Sequence, residues 1–328
     1  MTIKFAIAGA GFIANIHALA VRSQKGAELV AVVEKYSDKA AAFSKKFGLA
    51  CQFTTVEEII KAGGVDALII GTPNSLHAPQ AIAALKAGVH VMVEKPMAMN
   101  AKEARKMIEA SRSSGATLMV AHCWRFDREV LWLKKNAKKL GRVIRTKGYG
   151  VHVNWGPAGW FTQKELAGGG ALVDMGIHAI DTARFLLNDP QPVSVYAKIG
   201  TYFKGFNVDD TGTILINWDN GAISYIETGW WQPHADGPEA CNQLYGQKGF
   251  GQLFPTKLQY KKQTIDSGFS YPRTEHCPQS MYDTQMKYFI NCIKRNRIPI
   301  PGGAEGLVNM RILDAAYKSS QTGKVETI

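Results

Sequence analysis

The sequence predicts an α/β protein: an N-terminal doubly wound parallel sheet, followed by an α+β domain with a largely antiparallel, open sheet. Three observations carry this prediction. Strand and helix signals alternate through residues 3–121, the pattern of a parallel sheet covered by helices on both faces. After about residue 122 the texture changes to helical stretches followed by strands rich in Tyr, Trp, Thr and Ile. Between two of those strands stands Asp219-Asn220-Gly221, a strong hairpin turn. The 328 residues divide accordingly into domains 1–121 and 122–328, with the C-terminal helices free to pack back on the first domain.

Ile3 to Ala8 is an apolar run short enough for a buried strand, and Asn15 to Ser23 continues as a helix. Glu28 to Val33 is a second strand, followed by an Ala/Lys helix from Ser37 to Phe47 that Gly48 closes. Thr55 caps a helix over Val56 to Lys61, and Glu58, three residues on, completes a capping box. Asp66 to Ile70 is the next buried strand, Ala78 to Ala87 a helix ending at Gly88, and Val89 to Val93 a further strand. Asn100 caps Ala101 to Ser113, and Thr117 to Ala121 closes the first domain. Beyond it come helical stretches at Arg128 to Leu140 and Ala171 to Leu187. Strands then run from Val193 to Tyr202, Asp210 to Trp218 and Ala222 to Gly229, and helices from Met281 to Arg295 and Ala304 to Ser320.

Composition excludes several classes. With 46% hydrophobic and 20% charged residues the chain is an ordinary globular one, without repeats or low-complexity tracts. Met1 to Phe5 runs straight into the first strand, leaving no room for a cleaved leader, and no apolar run is long enough to cross a bilayer, so a cytoplasmic protein is expected. The five cysteines are scattered without a C-x-x-C pair, which fits a reducing compartment and argues for structural filler rather than a disulfide framework or metal cage; no metal is expected. The net charge of +12 leaves an anionic substrate open. Much of it is Lys on helical segments, such as Lys134-Lys135 and Lys138-Lys139. Nucleic acid is not expected, because no basic stripe with interleaved aromatics accompanies it.

The chemistry begins at Gly9-Ala10-Gly11-Phe12-Ile13-Ala14, a G-x-G-x-x-A turn between the first strand and helix. Gly9 permits the tight turn, Gly11 lets backbone approach a pyrophosphate, and Ala14 is small enough for close helix–strand packing. The helix N-terminus adds unpaired N–H groups and a partial positive charge. Glu34 ends the next strand, where a carboxylate suits paired ribose hydroxyls and repels a 2′-phosphate. NAD is therefore expected, with NADP kept open by the neighbouring Lys35. Asp174 and His178, spaced i and i+4, would share one face of a helix, and Lys95 stands just past a parallel strand, where such sheets bind ligands. Oxidising a secondary alcohol asks for a base near neutral pKa and a cation beside the oxygen, roles open to histidine and lysine.

The chain resembles, over nearly its whole length, the glucose–fructose oxidoreductase / inositol dehydrogenase / MocA (Gfo/Idh/MocA) family of NAD(P)-dependent sugar and cyclitol dehydrogenases. The resemblance rests on Gly71-Thr72-Pro73-Asn74-Ser75-Leu76-His77, on Glu94-Lys95-Pro96 and on the run from Gly168 through Asp174 to His178. It implies a Rossmann domain and a catalytic set of Lys95, Asp174 and His178. His178 would take the hydroxyl proton, Lys95 would bond the reacting oxygen and the nicotinamide ribose, and Asp174 would orient the site and touch substrate. It implies a cofactor set of Gly9, Gly11, Phe12, Ile13, Ala14, Glu34, Thr72, Pro73, Asn74, His77, Glu94 and Lys95, with Asn74 at the ribose and His77 near the phosphates.

On the substrate side, Arg125 either binds a hydroxyl or carboxylate or forms an interdomain ion pair. Asn154, Trp160 and the Trp230-Trp231-Gln232-Pro233-His234 stretch either read a sugar, with Trp rings on its CH face, or pack in the core. His17 is either a phosphate neighbour or a surface histidine. The expected activity is hydride transfer between NAD(H) and a ring alcohol or ketone of a sugar or polyol, in a dimer or tetramer assembled through the C-terminal sheet. The alternatives are an NAD-dependent glycosidase that oxidises its substrate transiently, and a non-catalytic NAD-binding regulator; retention of Lys95, Asp174 and His178 speaks against the regulator.

Overall fold

The computed structural model describes residues 2–233, 239–273, 275 and 277–328. The chain folds into two compact units, Met1–Cys123 with Cys277–Leu307, and Trp124–His276 with Val308–Ile328.

The first unit alternates β1 (Ile3–Ala8), α1 (Phe12–Arg22), β2 (Ala27–Val33), α2 (Ser37–Phe47), β3 (Cys51–Phe53), α3 (Val56–Ala62), β4 (Ala67–Ile70), α4 (His77–Lys86), β5 (His90–Glu94), α5 (Ala101–Ser114) and β6 (Leu118–Ala121). Its strands are all parallel in the order β3-β2-β1-β4-β5-β6. β4 and β6 are buried at every position, as strands covered by helices on both faces must be. The Thr55–Glu58 capping box is present, and the Asn100 side chain accepts the Glu103 N–H. The short edge strand β3 carries no apolar run and was not expected from the sequence.

The second unit holds α6 (Arg128–Asn136), β7 (Val143–Val153), the one-turn α7 (Lys164–Ala167), a π-helical turn (Leu172–Gly176), α8 (Ile177–Leu186), β8 (Pro192–Gly200), β9 (Thr211–Trp218), β10 (Ile223–Gln232), β11 (Ala240–Gly246), β12 (Gly249–Gln252), β13 (Lys257–Tyr260) and β14 (Gln263–Asp266). The sheet runs β14-β13-β12-β11-β7-β10-β9-β8-β15, where β15 is Glu326–Thr327. Every pairing in it is antiparallel except β10 with β7. β9 alternates buried and more exposed positions, the signature of a sheet covered on one face.

β7 was missed by sequence reading because Gly148 and Gly150 interrupt its apolar pattern. The structure explains them. A Cβ at Gly150 would stand 2.9 Å from the Met175 carbonyl oxygen, and one at Gly148 would stand 2.6 Å from the Asn242 Nδ2, which donates to the Ala179 carbonyl at 3.1 Å. Gly150 lets the π turn lie directly on the strand, and Gly148 leaves room for the Asn242 amide that bonds α8.

The segment 277–307, placed by the sequence in 122–328 but free to pack back on the first domain, clusters with the first unit. α9 (Gln279–Lys294) packs on α1, with Phe289 against Phe5 at 6.3 Å between rings and Gln279 Nε2 donating to the Ile16 carbonyl at 3.1 Å. The Pro301 carbonyl accepts from Val120 N at 3.2 Å, covering the outer edge of β6. The boundary between the units falls inside α10 (Gly303–Thr322).

Candidate active site

In the first unit the sheet order reverses between β1 and β4, the switch point where open α/β sheets bind ligands. The turns after these two strands touch. Gly9 has φ +94°, and a Cβ there would lie 2.7 Å from the Gly71 carbonyl oxygen, so two independent constraints demand glycine. At Gly11 φ is an ordinary −81°, and a Cβ would meet nothing within 4 Å. What Gly11 supplies is open approach to the start of α1, whose N-terminus no side chain caps. Its first N–H groups and the clear space above them fit a pyrophosphate. Ala14 is fully buried under the helix, whereas Phe12 is 84% exposed.

Glu34 ends beside this turn, its carboxylate accepting from Ala10 N at 2.9 Å and from Tyr36 N at 3.1 Å. Two cations stand at the same strand tip, Lys39 4.9 Å and Lys35 6.0 Å from the centre of the Tyr36 ring.

After β4, the Thr72 hydroxyl donates to Gln80 Oε1 at 2.8 Å, and Asn74 is buried. His77 is not placed to meet phosphates. It is 1% exposed, with Nδ1 2.7 Å from the Pro96 carbonyl oxygen and Nε2 2.9 Å from that of Thr72. Glu94 is equally internal: Oε1 lies 2.7 Å from His17 Nε2, and Oε2 accepts from Lys95 N at 3.1 Å. Burial pushes the Glu94 carboxyl up, but the hydrogen bond and charge of His17, with the charges of Lys95 and His77, hold it below its ordinary value. His17 is thus neither a surface histidine nor a phosphate neighbour. It is buried, with its ring edge-on to Tyr282 at 5.7 Å. Lys95 itself is half-buried, one residue beyond β5.

In the second unit Asp174 lies in the π turn and His178 is the second residue of α8, both half-buried. The uniform α-helix expected over 171–187 is therefore replaced by an i→i+5 turn followed by α-helix. Such an insertion re-aims side chains and recurs at functional sites. Its start is held by Asp209, whose carboxylate accepts from Gly170 N and Leu172 N at 2.8 Å each and from the Tyr317 hydroxyl at 2.7 Å. Burial pushes the Asp209 carboxyl up, against the pull of these donors. Gly170 lies against the Asp209 backbone and Gly169 against Tyr317 with no room for a Cβ, which accounts for the glycine run. Trp124 stacks on the His178 ring, 5.4 Å between centroids at 27°, and Trp230 Nε1 donates to Asp174 Oδ2 at 3.2 Å. Sequence reading offered Trp230 as a candidate sugar platform, but it is fully buried.

Arg125 is corrected from substrate ligand to internal anchor. It is 3% exposed, its Nε and Nη2 bond both Asp181 oxygens at 2.8 Å, and Nη2 also reaches Asp189 Oδ1 at 2.8 Å. The pair lies within the second unit and is not an interdomain bridge. Asn154 is exposed, with its N–H on the Gln232 carbonyl at 2.8 Å; Trp160 stacks on Phe161 at 3.9 Å. His234 lies outside the described residues. Among the described residues no group of three or more His, Cys, Asp or Glu is placed to hold a metal ion, and no helix is long and apolar enough to cross a membrane.

A parallel sheet of this order, with a glycine turn at its switch point and an acid on the neighbouring strand tip, is the architecture of a dinucleotide-binding domain. The oxidoreductase family profile with NAD-binding Rossmann fold, GFO_IDH_MocA, matches residues 3–122, and the GFO/IDH/MocA C-terminal domain matches residues 135–250. The chain is 30% identical to the D-glucoside 3-dehydrogenase of Escherichia coli (strain K12), over 98% of this chain and 96% of that protein. It is 27% identical to the 1,5-anhydro-D-fructose reductase of Ensifer adhaerens, over 99% and 98%. The solved aldose-aldose oxidoreductase from Caulobacter crescentus, complexed with glycerol, superposes with a TM-score of 0.88 at 26% identity, covering 100% of both chains. The protein belongs to the Gfo/Idh/MocA family and is an NAD(P)-dependent oxidoreductase.

Proposed function

We propose that this protein moves hydride between NAD(H) and a ring secondary alcohol, or the matching ketone, of a sugar, cyclitol or sugar derivative. The observation that carries this reading is the joint presence of Lys95, Asp174 and His178 in a chain that aligns end to end with sugar-acting relatives. When bound, the nicotinamide accepts or returns the hydride. His178 takes the hydroxyl proton on a ring nitrogen, and the Trp124 stack restricts the rotation of that ring. The Lys95 ammonium offsets the negative charge that grows on the oxygen. Asp174, its carboxylate steadied by Trp230, orients the hydroxyl. Glu34 selects NAD over NADP by bonding the ribose hydroxyls and opposing a 2′-phosphate. Asn154 and Trp160 remain candidate substrate contacts.

A second copy of the chain covers the open face of the large sheet. Tyr196, Leu215 and Tyr225 stand in register across β8, β9 and β10, with Tyr196 41% and Leu215 39% exposed, and Ile223 adds a further exposed apolar side chain. A cytoplasmic location fits cysteines of which none forms a disulfide.

The test is a spectrophotometric screen of NAD+ and NADP+ against sugars, uronates and cyclitols. Substrate-dependent NADH formation is the expected result. Glycoside cleavage without net NADH would replace this reading with transient oxidation, and silence across the panel with retained NAD binding would replace it with a regulator.

A further inference from the structure

A carbonyl oxygen only accepts hydrogen bonds, and a neutral imidazole carries one N–H. His77, itself 1% exposed, places both of its ring nitrogens on carbonyl oxygens, at 2.7 Å to Pro96 in the interior and 2.9 Å to the half-buried Thr72. With one ring proton, one of these contacts would set lone pair against lone pair. With two, both are hydrogen bonds. The two carbonyls belong to Thr72, after β4, and Pro96, beside Lys95 after β5.

We propose that His77 is a positioning residue: doubly protonated, it clamps the Thr72–Asn74 turn to the Lys95–Pro96 turn, and on losing one proton it releases one of them. It touches neither cofactor nor substrate and acts through the residues it holds. The inference rests on the reading of those turns as the cofactor and Lys95 site.

The surroundings make the second proton conditional. Burial pushes the His77 imidazole down; the two carbonyls and the Glu94 carboxylate pull it up, and Lys95 opposes it. From α1, His17 acts on the ring only through Glu94, to which it is itself bonded. The turn after β4 brings no titratable side chain of its own, since residues 72–76 are Thr, Pro, Asn, Ser and Leu. The result is a buried cation whose counter-ion is already shared. A group that titrates below its ordinary value keeps the clamp closed at low pH and opens it as pH rises through its folded pKa.

The test begins with nitrogen-15 spectra of the histidine side chains in the intact protein. Both His77 nitrogens should be protonated at the acid end of a titration and one at the alkaline end, with the backbone amides of Thr72, Asn74 and Lys95 shifting in the same step. A ring that stays a single neutral tautomer wherever the protein is folded would overturn the proposal. NAD affinity measured by calorimetry supplies the second readout. Wild type should bind more tightly on the acid side of that step, which lies below the ordinary histidine value because burial disfavours the charged ring. His77→Phe should weaken binding about tenfold, and His77→Gln should restore part of it while removing the pH dependence. A His77→Phe protein that binds NAD like wild type at every pH would equally overturn it. A wild type that bound neither NAD nor NADP would instead overturn the cofactor reading, while the nitrogen spectra would still decide whether the clamp exists.

Discussion

The two units hold their reactive groups by different physics. In the first, the residues at the strand ends are placed by backbone: a glycine turn pressed on Gly71, an acid bonded to two main-chain N–H groups, and histidines braced on carbonyls and on Glu94. In the second, Asp174 on the π turn and His178 at the start of α8 are supported by side chains distant in sequence: Trp124, Trp230, Asp209, and the Arg125–Asp181–Asp189 cluster that holds α8. A site made of backbone turns tolerates little change in φ, ψ or Cβ, whereas one made of buttresses depends on residues far away in sequence.

The largest expected effect lies in the proposed chemistry itself. His178→Ala should lower kcat about 10²–10⁴-fold, the range of general acid–base catalysis, and Lys95→Ala should lower it about 10²–10³-fold. Steady-state rates within a few-fold of wild type for both would remove these residues from the mechanism.

Next is the buttress. Arg125→Ala leaves Asp181 buried without its cation and should cost about 3–5 kcal/mol in urea unfolding. A stable Arg125→Ala enzyme with only a raised KM for substrate would restore the reading that the structure set aside.

The glycines separate backbone from approach. Gly9→Ala combines a positive φ with a Cβ 2.7 Å from a carbonyl oxygen and should destabilise the fold by about 1–3 kcal/mol. Gly11→Ala should leave the melting temperature alone and weaken NAD binding, because its Cβ enters space only a ligand would use. Equal effects on stability would show that the two glycines do the same work.

Acid should strain the first unit through Glu94. Its folded pKa lies below the ordinary 4.5, so its contribution to stability is present above that value and is lost as pH falls through the lower, folded one. Glu94→Gln should flatten the decline of the urea midpoint in that range. The smallest effect is expected from Trp124→Leu, which keeps bulk but removes the stack on His178: a few-fold loss in kcat with a displaced kcat–pH profile. An unchanged profile would mean that the stack only packs.

What could be read in advance follows from this contrast. The glycine turn, the Thr55–Glu58 capping box, the Asn100 cap and Glu34 are local, and a Cβ that cannot fit or an N–H that needs a cap leaves its mark within a few residues. His17 could not be assigned, because its partner Glu94 is far away in the chain. Arg125 and Trp230 were visible as residue types suited to a substrate, yet whether such a side chain meets a ligand or a buried partner depends on what the fold puts beside it. The Asp174–His178 spacing was legible, but not the π turn that alters it, since that turn is imposed by Asp209 and by β7 beneath.

By itself, then, the amino-acid order determined the parallel sheet, the dinucleotide turn and the identity of the titratable residues, because hydrophobic period, glycine placement and capping are short-range. Tertiary structure alone decided that 277–307 joins the first unit, that Arg125 is consumed by two aspartates, and that His77 faces two carbonyls. Those outcomes depend on which groups are desolvated together, and burial is a property of the packed chain rather than of any stretch of it.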